Sequence, residues 1–252
     1  MNTITFLCED TVDGIFTAIY LAWQEGTSHT DVKVQCEDTY SLFTEYVYVD
    51  TDPSLARKVA SSIRKKLSEE VYEYTYLTAL SCDTNKASYI YHFLIKAFRV
   101  GKDIVNYLHD ESVMKVFELC RNIRNESHRY IEFIRFEESQ NNILRCRIAP
   151  KNNVVPLTAP HFADRLHNEN WIILDTKRNF AAVHRAGAGY IFTNDITEEI
   201  LMENTVLSEK ELEYQKLWKS FFNTIAIKER YNPNLQRNLM PLHYRTYMNL
   251  QS

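Results

Sequence analysis

Glycine is scarce in this 252-residue sequence, at only five residues, and neither G-x-G-x-x-G nor G-x-x-x-x-G-K-[ST] occurs. The loops with which the common nucleotide-binding folds cradle phosphate are therefore excluded. The five cysteines, Cys8, Cys36, Cys82, Cys120 and Cys146, never form a C-x-x-C pair. That excludes a zinc ribbon or an iron–sulfur cluster, and five buried reduced thiols are expected instead. No metal and no cofactor is expected. G-x-S-x-G, H-E-x-x-H and the combination of H-x-E with P-C-x-x-C are also missing, which removes the serine hydrolase, zinc protease and zinc deaminase readings. There is no long uncharged apolar run to span a membrane. The opening MNTITFLCED has neither a basic n-region nor a small-residue cleavage site, so a cytoplasmic location is expected.

What is present has a globular balance: 45% apolar residues, 25% charged residues and a net charge of −4. A chain of this length buries a sizeable core, and a single α+β domain over residues 1–252 is expected. TITFLCE alternates and runs into DGIFTAIYLAWQEG, where Ile15, Ile19, Ala22 and Trp23 recur at helical spacing. DVKVQCE and LFTEYVYVD follow as strands, giving a small β-α-β part over residues 1–50. Asp52 and Pro53 then start a helix through Leu67, with Leu55, Val59, Ile63 and Leu67 on one stripe and Arg57, Lys58, Arg64 and Lys65 largely opposite. Those cations fit a solvated face or a phosphate-contacting one. Further helices are expected to fill residues 51–128, the last ending near His128.

Beyond residue 129 the pattern changes. IEFIRFEES and ILRCRIAP suggest a hairpin, a short helix starts near Thr158, and WIILDT, FAAVHRA and YIFTND suggest a meander. An antiparallel ββ-α-βββ sheet is expected. The S-x-x-E capping box of Ser208 and Glu211 then opens a long helix. Its Tyr214, Leu217, Trp218, Phe221, Phe222 and Ile225 keep helical spacing and are expected to close over the sheet, followed by an ordered tail.

Several clusters could carry chemistry. Arg121, Arg124 and His128 border the apolar face of their helix. They could hold a phosphate or carboxylate with the imidazole as general acid or base, or serve as helix cap and ion-pair partners. Arg145 and Arg147 lie on the polar side of a strand, where they could touch a nucleic-acid backbone or pair with acids across the sheet. His161 and His167 are six residues apart, about 120° around a helix and a poor chelate. An acid/base site from His128, His161 and Asp175 is a further candidate. In the tail, Tyr231, Tyr244 and Tyr247 interleave with Lys228, Arg230, Arg237 and Arg245, which suits base stacking with phosphate contact, or a strap over the core.

Nearly the whole chain resembles an uncharacterised bacterial family associated with DNA metabolism. The similarity lies in FFNTIAIKERYNPNLQRNLMP with Tyr244, in ESHRYIEFIRF, APHFADR and WIILDTKRNFAA, and in DGIFTAIYLAW and LFTEYVYVDTDPSLARKV. Family members usually carry glycine where Glu132 stands and tryptophan where Arg245 stands. The resemblance implies a domain of unknown function that partners a DNA-repair radical-S-adenosylmethionine protein and is sometimes fused to a uracil-DNA-glycosylase-like domain. Three expectations follow. The first is an accessory module that binds DNA or docks that partner, with Arg121, Arg124, Arg145, Arg147, Arg230, Arg237 and Tyr244 as nucleic-acid contacts. The second is an enzyme acting on a nucleotide or DNA base through His128, Arg121 and Arg124. The third is a purely structural interaction protein.

Overall fold

The computed structural model describes residues 3–26, 28–35, 44–195, 206–227 and 230–245. Its class is α+β, as expected, and the chain divides into two compact units. One comprises residues 1–125 with 151–153; the other comprises 126–150 with 154–252.

The first unit is built on three parallel strands, β1 (Thr3–Cys8), β2 (Thr30–Val34) and β3 (Thr44–Tyr48), in the order β2-β1-β3. As the central strand of a parallel sheet, β1 is covered on both faces, so Phe6, Leu7 and Cys8 are all buried in succession. Helix α1 (Val12–Glu25) starts at Thr11, whose hydroxyl accepts from the Gly14 amide at 2.9 Å. Gly14 is required there: a Cβ would lie 2.8 Å from the Glu9 carbonyl oxygen and 2.9 Å from the Thr11 hydroxyl. Helices α2 (Pro53–Lys66), α3 (Glu69–Ala79) and α4 (Lys86–Val100) follow. The Asp52 cap and Pro53 start of α2 are as read from the sequence, with Asp52 Oδ1 accepting from the Ser54 amide at 2.7 Å.

Helix α5 (Glu111–Phe133) begins in this unit and ends in the second. It runs past His128, so the first three residues of the expected first hairpin strand, 131–133, are helix, the next three are irregular, and only Glu137–Glu138 remain as β4. The cause is packing at helical spacing: Tyr130 and Phe133 both meet the Tyr244 ring, at centroid distances of 4.9 and 5.9 Å.

The second sheet has the order β4-β5-β6-β7-β8, with β5 (Leu144–Ile148), β6 (Trp171–Asp175), β7 (Phe180–Arg185) and β8 (Gly189–Thr193). It is mixed rather than antiparallel. Helix α6 (Val155–Arg165) carries the chain over from β5 to β6, which therefore pair in parallel, while the other neighbours are antiparallel. The core gathers Tyr130, Cys146, Ile148, Phe162, Trp171, Ile173 and Tyr244.

Helix α7 (Glu209–Ile225) starts as expected, with the Ser208 hydroxyl accepting from the Glu211 amide at 3.0 Å. The Ser208 amide donates to the Glu138 carbonyl at 3.0 Å, tying this start to β4. Its apolar stripe does not close over the sheet. Tyr214, Leu217, Trp218, Phe221, Phe222 and Ile225 are 44–63% exposed, and Glu211 is the buried residue of the helix among those described. After it come α8 (Pro233–Leu239) and α9 (Leu242–Arg245), the latter bringing Tyr244 into the core at 7% exposure. The thiols also depart from expectation. Cys8, Cys120 and Cys146 are buried, Cys82 is exposed, and Cys36 lies outside the described residues. Burial pushes the Cys8 thiol up to about 12 and that of Cys120 up to about 11, which makes them poor nucleophiles.

Candidate nucleic-acid and partner interface

The Arg121, Arg124 and His128 cluster falls across the division between the units, with His128 in the second. Within the first, Arg124 donates to Glu73 at 2.7 Å and lies over the Tyr74 ring at 5.4 Å. Within the second, His128 Nε2 sits 3.2 Å from Glu132, one helical turn on, and its side chain is 74% exposed. Arg121 is exposed. Two of the three groups thus each lie within ion-pair distance of a carboxylate.

Arg145 is held the same way. Its register partner on β4 is Glu137, and the ion pair measures 3.4 Å at 14% side-chain exposure for the arginine. Burial pulls the Arg145 guanidinium down, against the pull of Glu137. Arg147, two residues on, is exposed.

His161 and Asp175 do not share a setting. His161 is exposed beside the Phe162 ring. Asp175 is fully buried, accepting from the Lys177 amide at 2.9 Å and from the Arg178 guanidinium at 2.9 Å, and so shapes the β6–β7 turn. Among the described residues no group of three or more His, Cys, Asp or Glu is placed to hold a metal ion, and no helix is long and apolar enough to cross a membrane.

In the tail the candidates part company. Tyr244 is interior, edge-on to Tyr130, so it is placed as a strap rather than as a stacking platform. Burial raises its phenol above the ordinary value. Arg230, Arg237 and Tyr231 are exposed, and neither arginine has an acidic partner among the described residues. Lys228 and Tyr247 lie outside the described residues.

The feature that sequence reasoning placed wrongly is the α7 face. Six large apolar side chains on 17 residues of helix stay in contact with solvent, and Ile227, Tyr231, Leu235, Leu239 and Leu242 extend that character along the tail. Runs of this kind mark interaction surfaces. Reasoning also missed His184, stacked on Trp171 at 4.9 Å with Nδ1 2.8 Å from the Glu169 carbonyl. Only the alternation of FAAVHRA hinted at that inward direction.

The sequence model of the family described as "Domain of unknown function (DUF4130)" matches residues 84–249, more than half of the chain. The chain belongs to this family. No curated protein matches it. A solved structure described as a DHH domain, a member of the s1p family of ribosomal proteins, is similar at 10% identity and a TM-score of 0.36. The match covers 80% of this chain and 85% of that one.

Proposed function

We propose, for this member of the DUF4130 family, a non-catalytic accessory role in DNA repair or modification, in which the protein docks a partner through the apolar face of α7. The observation that carries this reading is the solvent exposure of Tyr214, Leu217, Trp218, Phe221, Phe222 and Ile225 on one capped, regular helix. An amphipathic helix laid against a groove is a recurrent mode of protein recognition, read through anchors at this spacing. Tyr214, Trp218 and the two phenylalanines are of the aromatic types enriched at such interfaces. The setting in DNA metabolism, and a radical-S-adenosylmethionine enzyme as the partner, come from the resemblance of the sequence to its family.

Arg230 and Arg237 support a second, compatible contact. Both are exposed in the segment that follows α7 in sequence, where they would meet phosphate. The enzymatic reading loses ground because Arg124 and His128 are engaged by Glu73 and Glu132.

The test is co-purification with the radical enzyme, followed by salt-dependent DNA binding of the pair. Leu217→Asp with Phe221→Asp should abolish the complex while circular dichroism stays unchanged. Arg230→Ala with Arg237→Ala should leave the complex intact and lower the salt slope of DNA binding by about 2. Undiminished capture of the enzyme by the aspartate variant would overturn the docking role.

A further inference from the structure

Helix α2 carries five cations and no acid. Arg64 is accounted for by Glu69 at 3.1 Å and by the Tyr72 ring at 3.8 Å. Arg57, Lys58, Lys65 and Lys66 are exposed and have no acidic partner among the described residues. The sequence positions that would neutralise them on a merely solvated helix are held by serine. Ser61 stands between Arg57 and Lys65, and Ser62 between Lys58 and Lys66, each one turn from both neighbours. The helix dipole accounts for cations in the last turn, Lys65 and Lys66, but not for Arg57 and Lys58 in the N-terminal half.

This stripe borders a cavity. A pocket of about 420 Å³, the size of small-molecule sites, opens between α1, α2 and α4. Its walls are mainly apolar: Ile19, Tyr20 and Trp23 from α1, Val59 from α2, and Leu94 and Phe98 from α4. Trp23 meets Phe98 edge-on at 5.2 Å and remains 38% exposed, and Lys58 lies over the Tyr20 ring at 5.8 Å. Lys58, Ser62 and Lys66 line this pocket and also a shallower depression of about 400 Å³ beside it, completed by Ser54, Arg57, Ser61 and Lys65. An aromatic chamber therefore continues into a shelf of ammonium, guanidinium and hydroxyl donors.

We propose that this is a nucleotide site, the base entering the chamber against the Tyr20, Trp23 and Phe98 walls and the phosphate lying on Lys58, Ser62 and Lys66. The chemistry selects that class. A planar ring gains from aromatic walls, and the phosphate is met by donors and charge with no carboxylate among the lining residues. An acyl carboxylate would fill the chamber but, with two acceptor oxygens and a single charge, would engage fewer of these cations and serines than a phosphate does. The site belongs to the first unit and α7 to the second, and all but Leu94 and Phe98 of its lining precede the segment matched by the family. Its occupant is either a free mononucleotide or the end of a single strand, which share this chemistry.

Calorimetric titration of the full chain with adenosine 5′-monophosphate, adenosine, inorganic phosphate and a 5′-phosphorylated pentanucleotide tests the proposal. The monophosphate or the oligonucleotide should bind at least about tenfold more tightly than adenosine or phosphate alone, the value of one to two charge-assisted contacts. Preference for the oligonucleotide identifies a strand end; equal affinity identifies the free nucleotide. Lys58→Glu with Lys66→Glu should weaken binding by more than tenfold. Arg64→Ala, which removes a charge from the same helix outside the pocket, should change it less than twofold. Absence of binding by both phosphorylated ligands, or equal losses in the two variants, would overturn the site.

Discussion

Helices α5 and α7 read alike in the sequence and behave oppositely in the structure. Each has apolar residues at spacings of three and four and polar residues between them. On α5 the stripe is consumed: Val113, Val116, Cys120 and Ile123 are at most 1% exposed. On α7 the corresponding side chains, larger and more aromatic, stay about half exposed. Periodicity establishes that a helix has a face to cover, and it is silent on what covers it. For α5 the cover comes from its own unit, where Phe117 lies 4.3 Å from Tyr74 and the Cys120 thiol donates to the Tyr74 carbonyl at 3.2 Å. For α7 the described residues supply an anchor at the first turn and little more.

The sharpest way to break this contrast is to make the same truncation on both helices. Ile123→Ala removes side-chain volume from a closed interior and should cost about 2–5 kcal/mol. Leu217→Ala or Phe221→Ala removes side chain from solvent and should change stability by no more than about 0.5 kcal/mol. Urea unfolding measures both. Equal losses would mean that the α7 stripe is packed within the chain, and the docking role would go with it.

The tail permits a closer comparison, because two residues of one type differ in burial by a factor of about ten. Tyr244 is 7% exposed against Tyr130 and Phe133, whereas Tyr231 is 69% exposed. Tyr244→Ala should cost about 3 kcal/mol or more, and Tyr231→Ala about 0.5 kcal/mol or less. Truncation before Tyr244 should accordingly destabilise the second unit even though Arg237 and its neighbours on α8 contribute little. A folded chain of unaltered stability after that truncation would contradict the strap.

Much of the fold was legible wherever a local rule decides it. Asp52–Pro53 and Ser208–Glu211 start helices because each capping side chain can accept from an amide two or three residues on, and the structure shows both bonds. The meander from Trp171 to Thr193 followed from alternation and turn residues. What escaped depended on partners distant in sequence. The parallel pairing of β5 with β6 needs α6 to return the chain in one sense, and the extension of α5 to Phe133 depends on Tyr244, more than a hundred residues away. Among the candidate site residues, charge type identified Arg124 and Arg145, but their fates were set by Glu73 and Glu137. The α2 cations were visible, yet a solvated face and a shelf beside a pocket look the same until Trp23 and Phe98 are brought together.

The smallest expected effect separates the two helices at their first turns. Asp110 caps α5: its carbonyl accepts from the Met114 amide at 2.9 Å and its carboxylate from the Ser112 amide at 2.9 Å. Lys96 donates to both carboxylate oxygens at 2.6 Å, and chiefly for that reason the Asp110 carboxyl is held down to about 2. An unfolded aspartate titrates near 3.9. A depressed folded value means that the folded state releases this proton more readily than the unfolded state does. The stabilisation is therefore fully present above about pH 4 and is lost as the pH falls through about 2. Ser208 caps α7 with a hydroxyl that carries no charge and also donates to the Glu138 carboxylate at 3.1 Å, and Ser208→Ala should cost about 1 kcal/mol. Asp110→Asn keeps a capping oxygen but removes the titration and the charge opposite Lys96. Its stability gap from wild type should be widest at neutral pH and should narrow between about pH 4 and pH 2. A gap that stays constant through that window would mean that Lys96 contributes nothing at the start of α5, and that the two helix starts are held by hydrogen bonding alone.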